Sequence, residues 1–212
     1  MKIYRLIFSP IQVNTYILAE ESGDCAIIDC GCYGKEESDE FAKFIDDKKL
    51  KPVMLLNTHS HLDHIFGNKF ILERYGLRAY ASALDEMNRI DAPNHAMIFG
   101  LTMEEPPEPG DFISDNQIIS FGKTKLLSLH VPGHTTGSIA FYSESDNCVF
   151  TGDALFAGSI GRTDLPGGNY EILMNSIRNK LFVLPSSTIV YPGHGEKTTI
   201  DNEIKTNPYF SS

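Results

Sequence analysis

The sequence has no positive charge to spare: 18 Lys and Arg stand against 28 Asp and Glu, a formal charge of −10 over 212 residues. Binders of nucleic acid or anionic membrane neutralise phosphate with clustered Lys and Arg, so this deficit argues against both partners. A small-molecule substrate is the expected partner. No apolar run approaches the roughly 20 residues a membrane-spanning helix needs. Met1-Lys2-Ile3-Tyr4-Arg5 lacks the continuous apolar stretch and small-residue cleavage site of a signal peptide. Cysteine is scarce: Cys25, Cys30, Cys32 and Cys148 form no zinc-finger spacing, and Cys30 and Cys32 are too close for an easy mutual disulfide. A reducing cytoplasm is the expected location.

What is present is concentrated. Thr58-His59-Ser60-His61-Leu62-Asp63-His64 follows the apolar run Val53-Met54-Leu55-Leu56, and three of the chain's 7 histidines fall inside it. Imidazole nitrogen and carboxylate oxygen are the ligands that zinc prefers and that iron(II) and manganese accept. A strand that ends and releases four such side chains into a short loop holds them together without long side-chain travel. The alternative is a polar turn that happens to be rich in histidine.

Strands are expected over 2–8, 13–19, 25–29 and 53–56, and helices over 36–48 and 65–75, the latter stopping at Gly76. Residues 78–80 read as a short strand, and Ser82 as the cap of a helix ending before Pro93. The stretch 92–111 has no clear period and reads as a long surface loop bordering a site, stiff and acidic at Glu104-Glu105-Pro106-Pro107-Glu108-Pro109-Gly110. Strands follow over 117–121, 125–131, 138–142 and 148–151, then a helix over 170–182 capped by Asn169, a last strand over 188–191 and a short final segment from Lys197. Strands then a helix, twice over, predict an α/β chain: two packed sheets with helices outside, a four-layer αββα sandwich, as a single domain over 1–212.

Three later strand ends each carry one metal-type residue in a turn rich in Gly or Pro. They are His134 in Val131-Pro132-Gly133-His134-Thr135, Asp153 in Thr151-Gly152-Asp153-Ala154, and His194 in Tyr191-Pro192-Gly193-His194-Gly195. Glycines beside a ligand permit the tight turn and close backbone approach a ligand at a strand end requires. Alone, each is as well explained as a hydrogen-bonded surface residue. Together with the first loop they make seven ligands, enough for two metals if one carboxylate is shared. His130, four residues before His134, reads as a histidine that is structural or supports a ligand from behind, and Cys30 and Cys32 as small buried side chains rather than reactive thiols.

In this arrangement the chain resembles the metallo-β-lactamase-fold hydrolases, whose pattern H-x-H-x-D-H, then His, Asp and His, is met in order by His59, His61, Asp63, His64, His134, Asp153 and His194. The resemblance implies that His59, His61 and His134 hold a first divalent ion and Asp63, His64 and His194 a second, with Asp153 bridging. Zinc is the first expectation, with iron or manganese as alternatives, and Asp29 matches the family's structural aspartate. Two such ions about 3.5–4 Å apart share a water and lower its pKa from about 15.7 towards neutrality, giving a bridging hydroxide that attacks a carbonyl. A second, catalytic role is expected of Asp63, whose carboxylate can steer that hydroxide by accepting its hydrogen bond.

Within the family, Thr151 to Asp164 and Pro192-Gly193-His194-Gly195 with Asn207-Pro208 resemble the glyoxalase II-like group, which hydrolyses thioesters such as S-lactoylglutathione. Full-length glyoxalase II has an added helical C-terminal domain and, after the bridging aspartate, basic and tyrosine contacts to glutathione; here Gly161-Arg162-Thr163-Asp164 stands instead. Arg162 either meets a substrate carboxylate or pairs with Asp164 to pin the loop. That same element resembles persulfide dioxygenases of this fold, which use a single iron held by two His and an Asp; retention of His194 in Pro-Gly-His-Gly favours the two-metal hydrolase. Nucleases sharing H-x-H-x-D-H and true β-lactamases fit less well, the first because of the acidic charge.

Overall fold

A computed structural model describes residues 1–210, in two compact units. One comprises Met1–Phe112 and Phe121–Thr124, the other Ile113–Ser120 and the residues from Lys125 on. Each unit is built on one six-stranded mixed sheet.

In the first unit β1 (Lys2–Phe8), β2 (Val13–Ala19), β3 (Asp24–Ile28), β4 (Lys51–Leu56), β5 (Ala79–Ala81) and β6 (Asp111–Phe112) lie in that order. The first three are antiparallel and the rest parallel. Every residue of β2 is buried, whereas β1 at the edge alternates towards solvent. Helix α1 (Gly34–Asp47) lays Phe41, Ala42 and Ile45 inward. Phe41 and Ile45 join Phe8, Ile17, Ile27, Leu55 and Ile71 in one core, each such side chain contributing about 1.5–3 kcal/mol.

In place of the helix expected over 65–75 stand two pieces, α2 (Leu62–Ile65), which takes in Asp63 and His64 from the expected loop, and α3 (Asn68–Tyr75). Gly67 breaks it: its N–H donates to the Cys30 carbonyl at 2.8 Å instead of joining the helical ladder, and a Cβ there would lie 2.4 Å from Cys30 Sγ. Gly76 ends α3 with φ of 70°, as read from the sequence.

Pro93 does not end the next helix. Ser82 caps a 3-10 turn, Ala83–Asp85, which runs into α4 (Glu86–Ile98), and Pro93 lies inside α4. Buried Ala92 and Ala96, packed with Leu62 and Ile65, fix the helix just before and just after the proline, so the lost hydrogen bond does not unwind it. Only the segment between α4 and β6 is a loop. It is fastened by Tyr33 to Thr102, by the Lys69–Glu104 ion pair, and by Arg89 and Arg78 donating to the carbonyls of Pro106 and Glu108. With Phe66, Phe70 and Lys69 it lines a cleft of about 830 Å³.

The second unit's sheet runs in the order β14 (Thr198–Thr199), β13 (Ile189–Pro192), β10 (Cys148–Gly152), β9 (Ile139–Ser143), β8 (Thr124–His130), β7 (Ile118–Phe121). Its parallel pair is β10 with β13. A hairpin of β11 (Leu155–Phe156) and β12 (Ser159–Ile160), too short to signal in the sequence, follows β10. Helix α5 (Tyr170–Ser176) is capped by Asn169 and continues through a π-helical turn to Leu181, burying Leu173, Ile177 and Leu181 as the periodicity predicts. The final segment is β14 followed by α6 (Ile200–Thr206). Among the described residues no helix is long and apolar enough to cross a membrane.

Candidate metal centre

In the first unit the histidine loop leaves β4 where Asp29 leaves β3. The two strands are parallel with Ile28 opposite Leu56, so both ends open on the same side. Asp29, 2 % exposed, turns there with φ of 54° and accepts from Thr58 N–H at 2.8 Å, Thr58 Oγ1 at 2.6 Å and His64 Nδ1 at 2.9 Å. Because a carboxylate only accepts, His64 carries its proton on Nδ1 and its lone pair on Nε2, which stands 3.6 Å from Asp63 Oδ2. Thr58 Oγ1 also meets His59 Nδ1 at 3.1 Å, and His59 Nε2 lies 3.1 Å from His61 Nδ1. Gly31 is required nearby, since a Cβ would meet Val13 at 2.0 Å and the Asp63 carbonyl at 3.0 Å.

In the second unit the three lone candidate ligands converge. Gly152 pairs with Pro192 across the parallel strands, and Gly193 N–H donates to the Gly152 carbonyl at 2.8 Å, which sets the His194 turn beside Asp153. Asp153 Oδ2 stands 3.7 Å from His134 Nε2 and 3.6 Å from His194 Nε2. His134 Nδ1 donates to the Arg162 carbonyl at 2.8 Å, so its lone pair is likewise on Nε2. Two glycines make this possible. A Cβ on Gly133, at φ of 124°, would run into the Leu173 backbone, and one on Gly161 would lie 1.8 Å from the Asp153 carbonyl.

These donors fit divalent ions. Two nitrogens about 2.0–2.1 Å from one tetrahedral ion are about 3.3–3.4 Å apart, and the ligand-to-ligand separations above lie close to that. His64 and His134 each have the hydrogen-bonded outer nitrogen that metal-binding imidazoles need to hold ring and tautomer. The described residues include groups of His and Asp that could hold a metal ion.

Residues 9–194 match the family model described as the metallo-beta-lactamase superfamily. The chain belongs to that superfamily. Over its whole length it is 35% identical to the probable metallo-hydrolase YqgX of Bacillus subtilis, covering 98% of that protein. It is also 35% identical, again end to end, to hydroxyacylglutathione hydrolase GloC of Haemophilus influenzae, covering 99% of it. Among solved structures it is similar to BLEG-1 B3 metallo-beta-lactamase, at a TM-score of 0.92 and 29% identity over all of both chains. It is similar too to TTHA1623 in a di-iron-bound form, at 0.88 and 34% over 97% of this chain and 99% of that one. The α/β fold class read from the sequence is thus borne out as the metallo-β-lactamase fold. The chain is an enzyme of a metallo-hydrolase superfamily whose fold binds divalent metals.

Of the two roles open to Arg162, the structure shows the ion pair. Its Nε and Nη2 each donate to Asp164 at 2.8 Å, and that side-chain bond holds the Asp164 carboxyl down at about 2. His130 bonds through Nε2 to the Thr136 carbonyl at 2.9 Å, two residues after His134. His95 is not in a loop but on α4, 3.2 Å from Asp91. Cys30 and Cys32 are buried with sulfurs 3.6 Å apart, and burial pushes the Cys32 thiol well up. Sequence reasoning missed Thr58 and the Arg162 carbonyl, which hold ligand rings, and Asp85, which holds the loop backbone. A carbonyl has no sequence signal, Thr58 reads as an ordinary turn residue, and Asp85 falls in the first turn of the helix expected after Ser82.

Proposed function

We propose that the chain is a binuclear metallohydrolase of thioesters, acting on S-lactoylglutathione or a related acyl-thiol. One observation carries the two-metal part: a single Asp153 oxygen faces Nε2 of both His134 and His194, as a carboxylate bridging through one oxygen would. In this reading His59, His61 and His134 hold one ion, Asp63, His64 and His194 the other, and Asp153 both. The thioester part is supported by the full-length likeness to a hydroxyacylglutathione hydrolase. The family match running from 9 to 194, through both units, supports one domain acting as a whole. Zinc, iron and manganese all suit the donors, and one similar structure is di-iron.

When bound, the ions supply Lewis acidity at the thioester carbonyl and lower the pKa of a shared water. The remaining work falls to side chains. Asp63 accepts a hydrogen bond from the attacking water and so aims its lone pair at the carbonyl. Asp29 and the Arg162 carbonyl hold the Nδ1 protons of His64 and His134, so neither ring turns or changes tautomer during turnover. A thiolate is a good leaving group, and no strong general acid is needed. The acidic charge accords with a small-molecule substrate rather than nucleic acid or membrane, and the four free, buried cysteines accord with a reducing cytoplasm.

The test is metal analysis of protein purified without added metal, beside a thioesterase assay on S-lactoylglutathione and a β-lactam hydrolysis control. About two ions per chain with thioester turnover is the expected result, and Asp153→Ala should weaken both ions together. One iron per chain, with oxygen uptake on glutathione persulfide, would replace this reading with a mononuclear iron dioxygenase.

A further inference from the structure

We propose that Asp85 is a positioning residue for the ion held by His59 and His61, an inference that rests on the two-metal reading above. Ser60 lies between those two ligands, 4 % exposed, and its backbone sets how far apart the two imidazoles stand. Its N–H donates to Asp85 Oδ2 at 3.1 Å, across 25 residues of sequence. Asp85 is itself 1 % exposed, so the bond is made out of water.

The carboxylate is aimed from behind. Its Oδ1 accepts from Asn88 Nδ2 at 3.3 Å, and the Asp85 N–H donates to the Ser82 carbonyl at 3.2 Å. Ser82 Oγ closes the same turn by accepting from Leu84 N–H at 3.2 Å. The turn leads into α4, whose Ala92 and Ala96 pack on Leu62 and Ile65 of α2, the helix that begins one residue after His61. Asp85 therefore reads the position of a core-packed helix and imposes it on the backbone between two ligands. A buried N–H that loses its acceptor is costly, so without Asp85 the loop shifts until Ser60 finds another partner, and the 3.1 Å spacing of His59 Nε2 and His61 Nδ1 is lost. Asp63 and His64 are held separately, through Asp29 and the start of α2, and are spared.

The experiment titrates the metal-free full chain with zinc against a competing chelator and reads both affinities, with thermal unfolding of the metal-free chain recorded alongside. Loss of a residue supporting metal ligands typically costs about 10–100-fold in affinity. Asp85→Ala should weaken one ion by about tenfold or more and leave the other within about threefold. Asp85→Asn, which keeps an oxygen opposite Ser60, should retain both. In a His61→Ala background, which lacks the first ion, Asp85→Ala should change nothing further. If the alanine variant does not fold, Asp85→Glu, which displaces the carboxylate by one methylene, carries the same expectation. Two ions on the wild type and unchanged or equally weakened affinities in the variants would overturn the role of Asp85. Fewer than two ions on the wild type would overturn the two-metal reading instead, and this inference with it.

Discussion

Glu203 offers the sharpest stability test. It is fully buried in the second unit and gathers four donors. Oε2 accepts from Gly158 N–H at 2.9 Å and Asn207 Nδ2 at 2.8 Å, and Oε1 from Thr198 Oγ1 at 2.6 Å and Asn202 Nδ2 at 2.9 Å. Asn207 Nδ2 also donates to the Ser159 carbonyl at 3.1 Å. The carboxylate thus ties α6 to the β11–β12 turn, the segment leading from Asp153 to Arg162.

In Glu203→Ala, exposed Asn202 and partly exposed Thr198 can turn to water, so their bonds are largely replaced. The bond from Asn207 is the real loss, because Asn207 is fully buried, and exposed Gly158 loses only part of its bond. At about 1.5–3 kcal/mol per hydrogen bond to a charged group the two sum to about 2–4 kcal/mol, and recovered solvation of the carboxylate takes back part of that. A net cost of about 2 kcal/mol is expected. In a chain of this size each kcal/mol moves Tm by about 2–4 °C, so the melt should fall by about 4–8 °C. Urea and thermal unfolding followed by circular dichroism measure it, and faster amide exchange at Gly158 should accompany it. A variant within about 1 kcal/mol of the wild type would mean that the carboxylate does not hold this turn.

Two further outcomes follow from packing and titration. Gly161→Ala places a methyl 1.8 Å from the Asp153 carbonyl and 3.0 Å from His134 Nδ1, so the loop must move and metal content should fall, at a stability cost of about 1–3 kcal/mol; a fully metal-loaded variant would count against the geometry. Burial pushes the thiols of Cys25 and Cys148 up to about 12 from an ordinary 9.0. Folding therefore favours the protonated thiols, and that stability is complete below about pH 9 and lost as pH rises from there through about 12. Urea midpoints should decline over that window, and both thiols should resist iodoacetamide at pH 8 until the chain is unfolded; alkylation at equal rates in native and unfolded protein would refute it.

Most of the fold was legible because its signals are local. Alternation in 2–8 and 13–19, the stripe Leu173-Ile177-Leu181 and the caps Asn169 and Gly76 each report on their own few residues. Where the reading failed, the deciding contact was distant. Gly67 looks like a tolerable helix residue until the Cys30 carbonyl takes its N–H, and Pro93 looks like a stop until Ala92 and Ala96 are seen packed beside it. The candidate ligands were legible because His and Asp in Gly-rich turns are conspicuous. The groups that orient them were not, since Asp85 acts from 25 residues away and Arg162 through its backbone.

Turn composition alone does not explain why the candidate ligands within each unit come together; strand register does. Each unit contains a parallel pair whose ends open together: Ile28 opposite Leu56 brings Asp29 to Thr58, and Gly152 opposite Pro192 brings Asp153 to His194. Parallel neighbours end on the same side of a sheet, so residues far apart in sequence arrive there without a shared loop. The β10–β13 pair is irregular between Phe150 and Gly152, one residue before the ligand. Such an irregularity changes which side chain faces a site, and here it coincides with the left-handed Gly152, at φ of 50°. A one-residue slip in that pairing would turn every side chain of β13 to the opposite face and carry His194 away from Asp153. The spacing between that carboxylate and its two imidazoles is therefore a property of the sheet, and the glycines around it are what let the sheet set it.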